Sequence, residues 1–289
     1  MMKVKPLPKV ENCHRLIPIS EIHAVLLRLK NSCVFLAWDL LALLLFVPID
    51  AMIMLIHARA EVENVHDAII VSAARTPIGS FKGTLSGLTA TYLGSVAIEE
   101  AVKRSGVEKE DIDEVIMGNV LGAGLGQAPA RQAALKAALP REVNCTTINK
   151  VCGSGLKAIM LAAQAVRTGD SNVVVAGGME NMSAAPYLLP KARAGYGMGH
   201  GTLVDSLIKD GLWDVYNDFH MGSAAELCAE KYAISRAEQD RFGIQSYHRA
   251  QAAQRKGDFR REIVAVPVAS ERNKGGAIAE DEEPKRFDE

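Results

Sequence analysis

Residues 146–156 read TTINKVCGSGL, and the rest of the chain is organised around this stretch. Several β-branched side chains in residues 146–151 favour a short β-strand. After it, apolar residues recur at steps of three and four, which is the spacing of one helix face; they are Leu156, Ile159, Met160, Ala163 and Val166. Cys152 is therefore predicted to lie on a turn that connects a strand to a helix.

The position of Cys152 suits a nucleophile. The start of a helix presents unpaired N–H groups and the positive end of the helix dipole, and both stabilise a thiolate. Glycines at positions 153 and 155 leave room for a substrate carbonyl to approach the sulfur. A cysteine displayed in this way can form covalent intermediates. The alternative is an ordinary buried thiol, because free cysteines often fill cores.

The composition excludes some classes of function. The chain has 289 residues, 48% of them hydrophobic, and a formal net charge of −1. This length allows one large domain or two ordinary ones, and no Lys/Arg-rich run favours nucleic-acid binding. The five cysteines are scattered and show no metal-ligand spacing. We therefore expect a reduced, cytoplasmic protein without a metal site.

The first 66 residues differ in character from the rest and form an atypical N-terminal extension. Residues 34–56 are an apolar run long enough to cross a bilayer. Asp39 and Asp50 inside the run are costly in a membrane, and Pro48 would kink a helix. Two interpretations stay open: a membrane anchor, or an appended and poorly packed segment.

From residue 67 onward the pattern is that of an α/β domain. Apolar runs predict four strands, at 67–74, 114–117, 146–151 and 172–176. Helices are predicted between them, at 89–105 with a glycine stop, from 127 and from 156. Such alternation favours a mostly parallel sheet covered by helices on both faces. Reactive groups collect at the carboxyl ends of these strands, where Cys152 lies.

The alternation stops after the fourth strand. Residues 179–213 are rich in Gly, Pro and Met and predict an extended excursion. Two helices follow, with capping-box patterns at Ser223–Glu226 and Ser235–Glu238, and residues 263–268 predict one more strand. The tail 270–289 is polar and has no apolar period, so we do not expect it to complete a compact domain by itself.

Five segments in order resemble the thiolase family, of the acetyl-CoA acetyltransferase type. They are DAIIVSAARTP at 67–77, GQAPARQ at 126–132, NKVCGSG at 149–155, GGMENMS at 177–183 and FHMG at 219–222. The resemblance covers the chain from residue 67 to its end without a gap. It implies an N-terminal α/β domain at 67–181 and an incomplete inserted loop domain at 182–289, with the C-terminal half missing.

The resemblance also implies a layered α/β fold built from two similar halves, and ping-pong chemistry. Cys152 would attack an acyl-CoA thioester, hold the acyl group, and pass it to the α-carbon of acetyl-CoA. The reverse direction cleaves a 3-ketoacyl-CoA, as in β-oxidation and fatty acid metabolism. Coenzyme A thioesters are then substrates, and no bound cofactor is implied. A thiolate suits this exchange because sulfur is both nucleophile and leaving group.

Three further residues gain a role from the resemblance. His220 and Met221 match family residues beside the pantetheine arm and the acyl pocket, and Gln127 matches a residue near the active site. For His220 the alternative is a histidine that bonds to the backbone at a helix entry. For Gln127 it is an ordinary loop contact.

The chain departs from the family pattern in its second half. Neither the Gly-His-Pro segment of the activating histidine nor the Cys-x-Gly-Gly segment of the acid/base cysteine occurs. Without them no recognisable group deprotonates the α-carbon, and we expect little or no turnover from this chain alone. We expect a homo-oligomer or a companion C-terminal half as the partner, and catalysis requires a companion chain that supplies the second half. The alternatives are a non-catalytic acyl-CoA-binding or assembly remnant, and a membrane-tethered thiolase fragment.

Overall fold

The computed structural model describes residues 67–268 and 276–288. The N-terminal extension, including the apolar run 34–56, lies outside the described residues. Within the described ranges, no helix is long and apolar enough to cross a membrane. Anchoring through residues 34–56 therefore stays a prediction.

A three-stranded parallel sheet with the order β2-β1-β3 stands at the centre of the fold. Its strands are β1 (Glu114–Gly118), β2 (Asn144–Ile148) and β3 (Val174–Gly178). Gly118 pairs in register with both Ile148 and Gly178, so the three strands end at the same level. The loops that follow them leave the same edge of the sheet. The sequence placed β2 and β3 correctly, although their boundaries differ by two or three residues.

Helices cover both faces of the sheet; they are α1 (Ala90–Ser105), α2 (Pro129–Lys136) and α3 (Ser154–Thr168). Helices α1 and α2 pack on the face that carries Val115 and Met117. Helix α3 packs on the other face, where Ala158 and Ala162 meet Ile116. This division follows from the alternation of side chains along β1. The predicted α/β layering is confirmed.

The ends of α1 lie where the sequence predicts them. The side chain of Thr89 caps the first turn by accepting a hydrogen bond from the Tyr92 N–H. Gly106 ends the helix in the left-handed conformation, with φ of 70°. A residue with a side chain would be strained at that φ, which explains why glycine is the stop.

Glycines allow α3 to approach the sheet very closely. A Cβ atom on Gly118 would lie 2.5 Å from the Ser154 backbone, and one on Gly178 would lie 3.1 Å from the Cα of Gly155. The first turn of α3 therefore rests directly on the ends of β1 and β3. This contact sets the position of the turn that carries Cys152.

The chain after β3 forms short strand pairs and two long helices. The antiparallel pairs are β4 (Tyr187–Leu188) with β5 (Val204–Asp205), β6 (Trp213–Asp214) with β7 (Phe219–His220), and β8 (Val266–Val268) with β9 (Gly276–Ile278). The helices are α4 (Met221–Lys231) and α5 (Arg236–Lys256). The expected strand at 263–268 is present but shorter. The excursion 179–213 contains no long element, as the sequence predicts.

One of the two predicted capping boxes is correct. At the start of α5, Ser235 Oγ accepts from the Glu238 N–H (3.3 Å), and the Glu238 carboxylate accepts from the Ser235 N–H (2.8 Å). The box predicted at Ser223–Glu226 is wrong, because α4 begins at residue 221. His220 is the N-cap residue of this helix, and its Nδ1 accepts a hydrogen bond from the Gly222 N–H (2.9 Å).

The predicted buried strand at 67–74 is wrong. The structure assigns no strand to these residues, and Ile69 and Ile70 are each 79% exposed. Within the segment, Ser72 Oγ donates to the Ala101 carbonyl (2.6 Å), and just after it the backbone of Arg75 makes an isolated parallel bridge to Ile263. An apolar run indicates that a segment can be buried. A β-strand also needs a neighbouring strand to pair with, and the local sequence pattern does not show whether one is present.

Carboxylates hold the described part of the polar tail, residues 276–288, which the sequence did not predict. Asp281 is 5% exposed. Its carboxylate accepts hydrogen bonds from both Nη atoms of Arg75 (2.7 and 3.0 Å) and from the Ile78 N–H (2.8 Å). The neighbouring Glu282 accepts from the backbone N–H of Ser80 at 3.0 Å. Together with β9 and a 3-10 turn, these bonds fix the tail to residues 75–84. We call this set of contacts the tail clamp.

Candidate active site around Cys152

The turn between β2 and α3, which carries Cys152, has a strained backbone at the preceding residue, Val151. Val151 has a φ of 49°, in the left-handed region that β-branched residues avoid. Asn149 Oδ1 accepts from the Val151 N–H (2.8 Å), which stabilises this conformation. The buried Ser154 closes the turn, since its hydroxyl accepts from the Lys150 N–H (2.8 Å) and donates to the Val151 carbonyl (2.6 Å). The predicted strand-to-helix turn is confirmed, although β2 ends at residue 148.

Cys152 lines a cavity of about 420 Å³ at the carboxyl edge of the sheet. Loops after β1 and β3 and part of the excursion supply the other walls, including Val120, Leu121, Met179, Glu180, Met182 and Leu212. A larger surface groove of about 750 Å³ runs along α5, but a single helix lines it. The Cys152 cavity, which combines a nucleophile with mainly apolar walls, is the better candidate for a reactive site.

The three described cysteines differ in their surroundings. Cys152 and Cys228 are exposed, whereas Cys145 is partly buried in β2. Burial raises the pKa of the Cys145 thiol, and its Sγ lies 3.5 Å from the Val143 carbonyl. The description of an ordinary buried thiol therefore fits Cys145 and not Cys152. Cys152 is the cysteine that both meets solvent and lines the cavity.

The structure does not place the other predicted residues in the lining of this cavity. Gln127 is exposed, and its carbonyl accepts from Gln132 Nε2 (2.8 Å) in a loop contact. His220 lies on β7 opposite Trp213, and Met221 is 40% exposed at the start of α4. The Nδ1 bond of His220 matches the backbone-bonded alternative. A coenzyme A role for these residues stays a prediction.

Sequence reasoning missed two polar residues at the site. Glu180 lines the cavity, and the buried Asn119 lies beside it. Asn119 comes directly after β1 and Glu180 comes two residues after the end of β3, which is the signal that could have identified them. Among the described residues, no group of three His, Cys, Asp or Glu side chains is arranged to hold a metal ion. The polar side chains that line the cavity are the Cys152 thiol, the Ser154 hydroxyl and the Glu180 carboxylate.

The fold and the site match one protein family. The family described as "Thiolase, N-terminal domain" matches residues 68–288. The chain belongs to the thiolase family. This confirms the resemblance found in the sequence, and the matched range includes the sheet, the turn at Cys152 and the tail clamp.

Individual thiolases show the same relationship. The chain is 55% identical over 224 residues to "Acetyl-CoA acetyltransferase 2" from Arabidopsis thaliana, covering 78% of this chain and 56% of the relative. It is 56% identical over 213 residues to "Acetyl-CoA acetyltransferase" from Cupriavidus necator, covering 74% and 54%. The chain spans about half the length of these curated relatives.

A solved thiolase shares the fold. The crystal structure of Acat5 thiolase from Ascaris suum, in complex with coenzyme A, superposes with a TM-score of 0.71 at 44% sequence identity. The match covers 77% of this chain and 56% of that chain. The thiolase fold predicted from the sequence is therefore confirmed for the matched part.

Proposed function

We propose that this chain is the N-terminal part of an acetyl-CoA acetyltransferase, and that Cys152 carries its acyl intermediate. The observation that carries the proposal is an exposed cysteine on a strained turn, inside a cavity at the carboxyl edge of the sheet. The names of the relatives and the coenzyme A bound to the Ascaris suum thiolase support an acyl-CoA substrate.

In the first half-reaction, the Cys152 thiolate attacks the carbonyl carbon of an acyl-CoA thioester. A new carbon–sulfur bond forms, the tetrahedral intermediate collapses, and coenzyme A leaves as a thiolate. One thioester is exchanged for another, so the step needs no oxidant, reductant or metal. The turn and the glycine contacts below it fix the position of Cys152 in the lining of the cavity.

The second half-reaction needs a base for the α-carbon of acetyl-CoA. Cys152 and Glu180 are the titratable residues among those that line the cavity in the described structure. The Glu180 carboxylate already accepts three hydrogen bonds from protein donors. We therefore propose that the chain alone undergoes acylation of Cys152 without condensation.

A companion C-terminal half would then complete the enzyme. The outer face of α3 suits such a partner, because Leu156, Ile159 and Met160 are 65%, 42% and 50% exposed. Neighbouring exposed apolar side chains mark interaction surfaces. The proposal includes a cytoplasmic location and a role in fatty acid metabolism. Membrane attachment through residues 34–56 is the alternative location.

Mass spectrometry after incubation with acetyl-CoA tests the proposal. We expect an acetyl group on the peptide that contains Cys152, and none on Cys228, which is an exposed cysteine outside the cavity. Cys152→Ser should lose the modification, and the matched control Cys228→Ser should keep it. Equal labelling of both cysteines would contradict the proposal. Thiolysis of acetoacetyl-CoA by the chain alone would show that a companion C-terminal half is dispensable.

A further inference from the structure

The carboxylate of Glu180 joins the loops that follow β1 and β3. Its Oε2 accepts from the backbone N–H of Val120 at 2.8 Å. Its Oε1 accepts from the backbone N–H of Leu121 at 3.2 Å and from Asn119 Nδ2 at 2.9 Å. Three consecutive residues after β1 therefore donate to one half-buried carboxylate. Bonds to a charged acceptor are stronger than those between neutral groups.

Asn119 makes this arrangement rigid. The residue is 5% exposed, and its Nδ2 also donates to the Met179 carbonyl at 3.2 Å. Its backbone N–H donates to the Ile148 carbonyl at 3.0 Å. The loop after β1 is thereby tied to the ends of β2 and β3 as well as to Glu180. A loop with this many bonds at its base has one preferred position.

That loop forms a wall of the reactive cavity. Val120 and Leu121 line the same cavity as Cys152, and Leu121 is 6% exposed. A Cβ atom on Gly211 would lie 3.5 Å from Leu121 Cδ2, so the excursion packs on the same side chain. The position of Leu121 thus fixes both a wall of the cavity and a contact with the segment beyond it.

Glu180 is occupied in holding this wall. A carboxylate offers about four acceptor positions, and the loop after β1 uses three of them. We propose that Glu180 is a positioning residue that fixes the Val120–Leu121 wall and so limits the size of the electrophile that reaches Cys152. The inference rests on the proposed function only in naming an acyl thioester as that electrophile.

Two series of reagents of increasing size test the inference. Acetyl-CoA and butyryl-CoA report acylation, and iodoacetamide and N-phenylmaleimide report alkylation without coenzyme A. Modification of each cysteine is followed by mass spectrometry, with the exposed Cys228 as an internal reference. The variant is Glu180→Gln, and the matched control is Glu110→Gln at an exposed glutamate in another part of the fold.

We expect the ratio of large-reagent to small-reagent rates at Cys152 to rise about fivefold or more in Glu180→Gln, because a charge-assisted loop contact is lost. The same ratio at Cys228, and both ratios in Glu110→Gln, should stay at the wild-type value. A Cys152 ratio within about twofold of wild type would overturn the inference. If Glu180→Gln does not fold, Glu180→Asp keeps the charge but is one methylene too short to reach all three donors, and the same outcomes apply.

A double-mutant cycle separates positioning from general loosening. On a Leu121→Ala background the wall is already shortened, so Glu180→Gln should add little to the Cys152 ratio. A full, additive effect on that background would show that the variant acts elsewhere, and would overturn the inference. If acetyl-CoA does not acylate the wild-type chain, the proposed function fails. The alkylation series still decides the role of Glu180.

Discussion

Replacing Asp281 by asparagine should break the tail clamp at its most buried point. Asp281 is 5% exposed and accepts two hydrogen bonds from the Arg75 guanidinium and one from the Ile78 N–H. Asparagine keeps one acceptor oxygen, and its NH₂ group would face a cation. Glu262, at 2.6 Å from Arg75 Nε, is then the remaining anionic partner of Arg75 in the described residues.

The size of the effect follows from burial. A hydrogen bond to a charged group contributes about 1.5–3 kcal/mol, and removing one partner of a fully buried ion pair costs about 3–5 kcal/mol. The side chains of Arg75 and Glu262 are 28% and 46% exposed, so solvent screens the charge that is left behind. We therefore expect the free energy of unfolding at pH 7 to fall by about 2 kcal/mol.

Urea denaturation measures this change. Glu280→Gln is the matched control, because Glu280 pairs with Lys285 and both side chains are mostly exposed, at 69% and 57%. Exposed ion pairs contribute little to stability, so the control should keep the wild-type midpoint. Both variants remove one negative charge from neighbouring positions of the tail, which leaves burial as the difference between them.

The effect of pH has a defined sign. Burial raises the pKa of Asp281, but the hydrogen bonds from Arg75 and the Ile78 N–H outweigh it and hold that pKa below its ordinary value. Such a carboxylate stabilises the fold above its unfolded pKa of about 4, and the stabilisation is lost as pH falls through the folded pKa. The difference in the free energy of unfolding between wild type and Asp281→Asn should therefore become smaller below about pH 4. The reasoning would be refuted if this difference at pH 7 were no larger than that of the Glu280→Gln control, or if it stayed the same in acid.

Three other substitutions test the site and its surroundings. Gly118→Ala puts a Cβ atom 2.5 Å from the Ser154 backbone, so we expect a lower thermal midpoint and slower labelling of Cys152; a wild-type midpoint would contradict the close packing. Ser154→Ala removes two hydrogen bonds from the buried turn, so we expect the free energy of unfolding in urea to fall by about 1–3 kcal/mol. The control Ser223→Ala, on an exposed helix surface, should leave it unchanged. Leu156→Lys changes a side chain that is 65% exposed, so the midpoint should stay unchanged while self-association in sedimentation falls; unchanged association would exclude the α3 face as the contact.

Local patterns in the sequence identify most of the regular elements. Helix α1 has its cap at Thr89 and its glycine stop at Gly106, and the box at Ser235 starts α5, because each signal acts within one helical turn. The strand-to-helix turn at Cys152 is visible for the same reason. Its left-handed Val151 is not, since no pattern indicates a positive φ at a β-branched residue.

Several other misses concern partners that are distant in the chain. The apolar run 67–74 was predicted as a strand, yet nothing local shows whether a neighbouring strand is present. The helical spacing of Leu156, Ile159 and Met160 correctly predicts α3, but these residues are exposed and Ala158 faces the sheet instead. The role of Glu180 likewise depends on a loop 60 residues earlier. The spacing of apolar residues identifies a helix or strand. The residues that it contacts are set by the folded chain and cannot be read from that spacing.

The tail clamp also bears on how the chain is synthesised. Arg75 and Asp281 are 206 residues apart, so the first described segment meets its carboxylates only after synthesis has passed residue 281. At about 5–20 residues per second, a ribosome needs roughly 10–40 s to add that many residues. During this interval the parallel sheet can assemble, but residues 75–84 wait without their acidic partners. Attachment of residues 75–84 to the tail is therefore expected to follow assembly of the sheet.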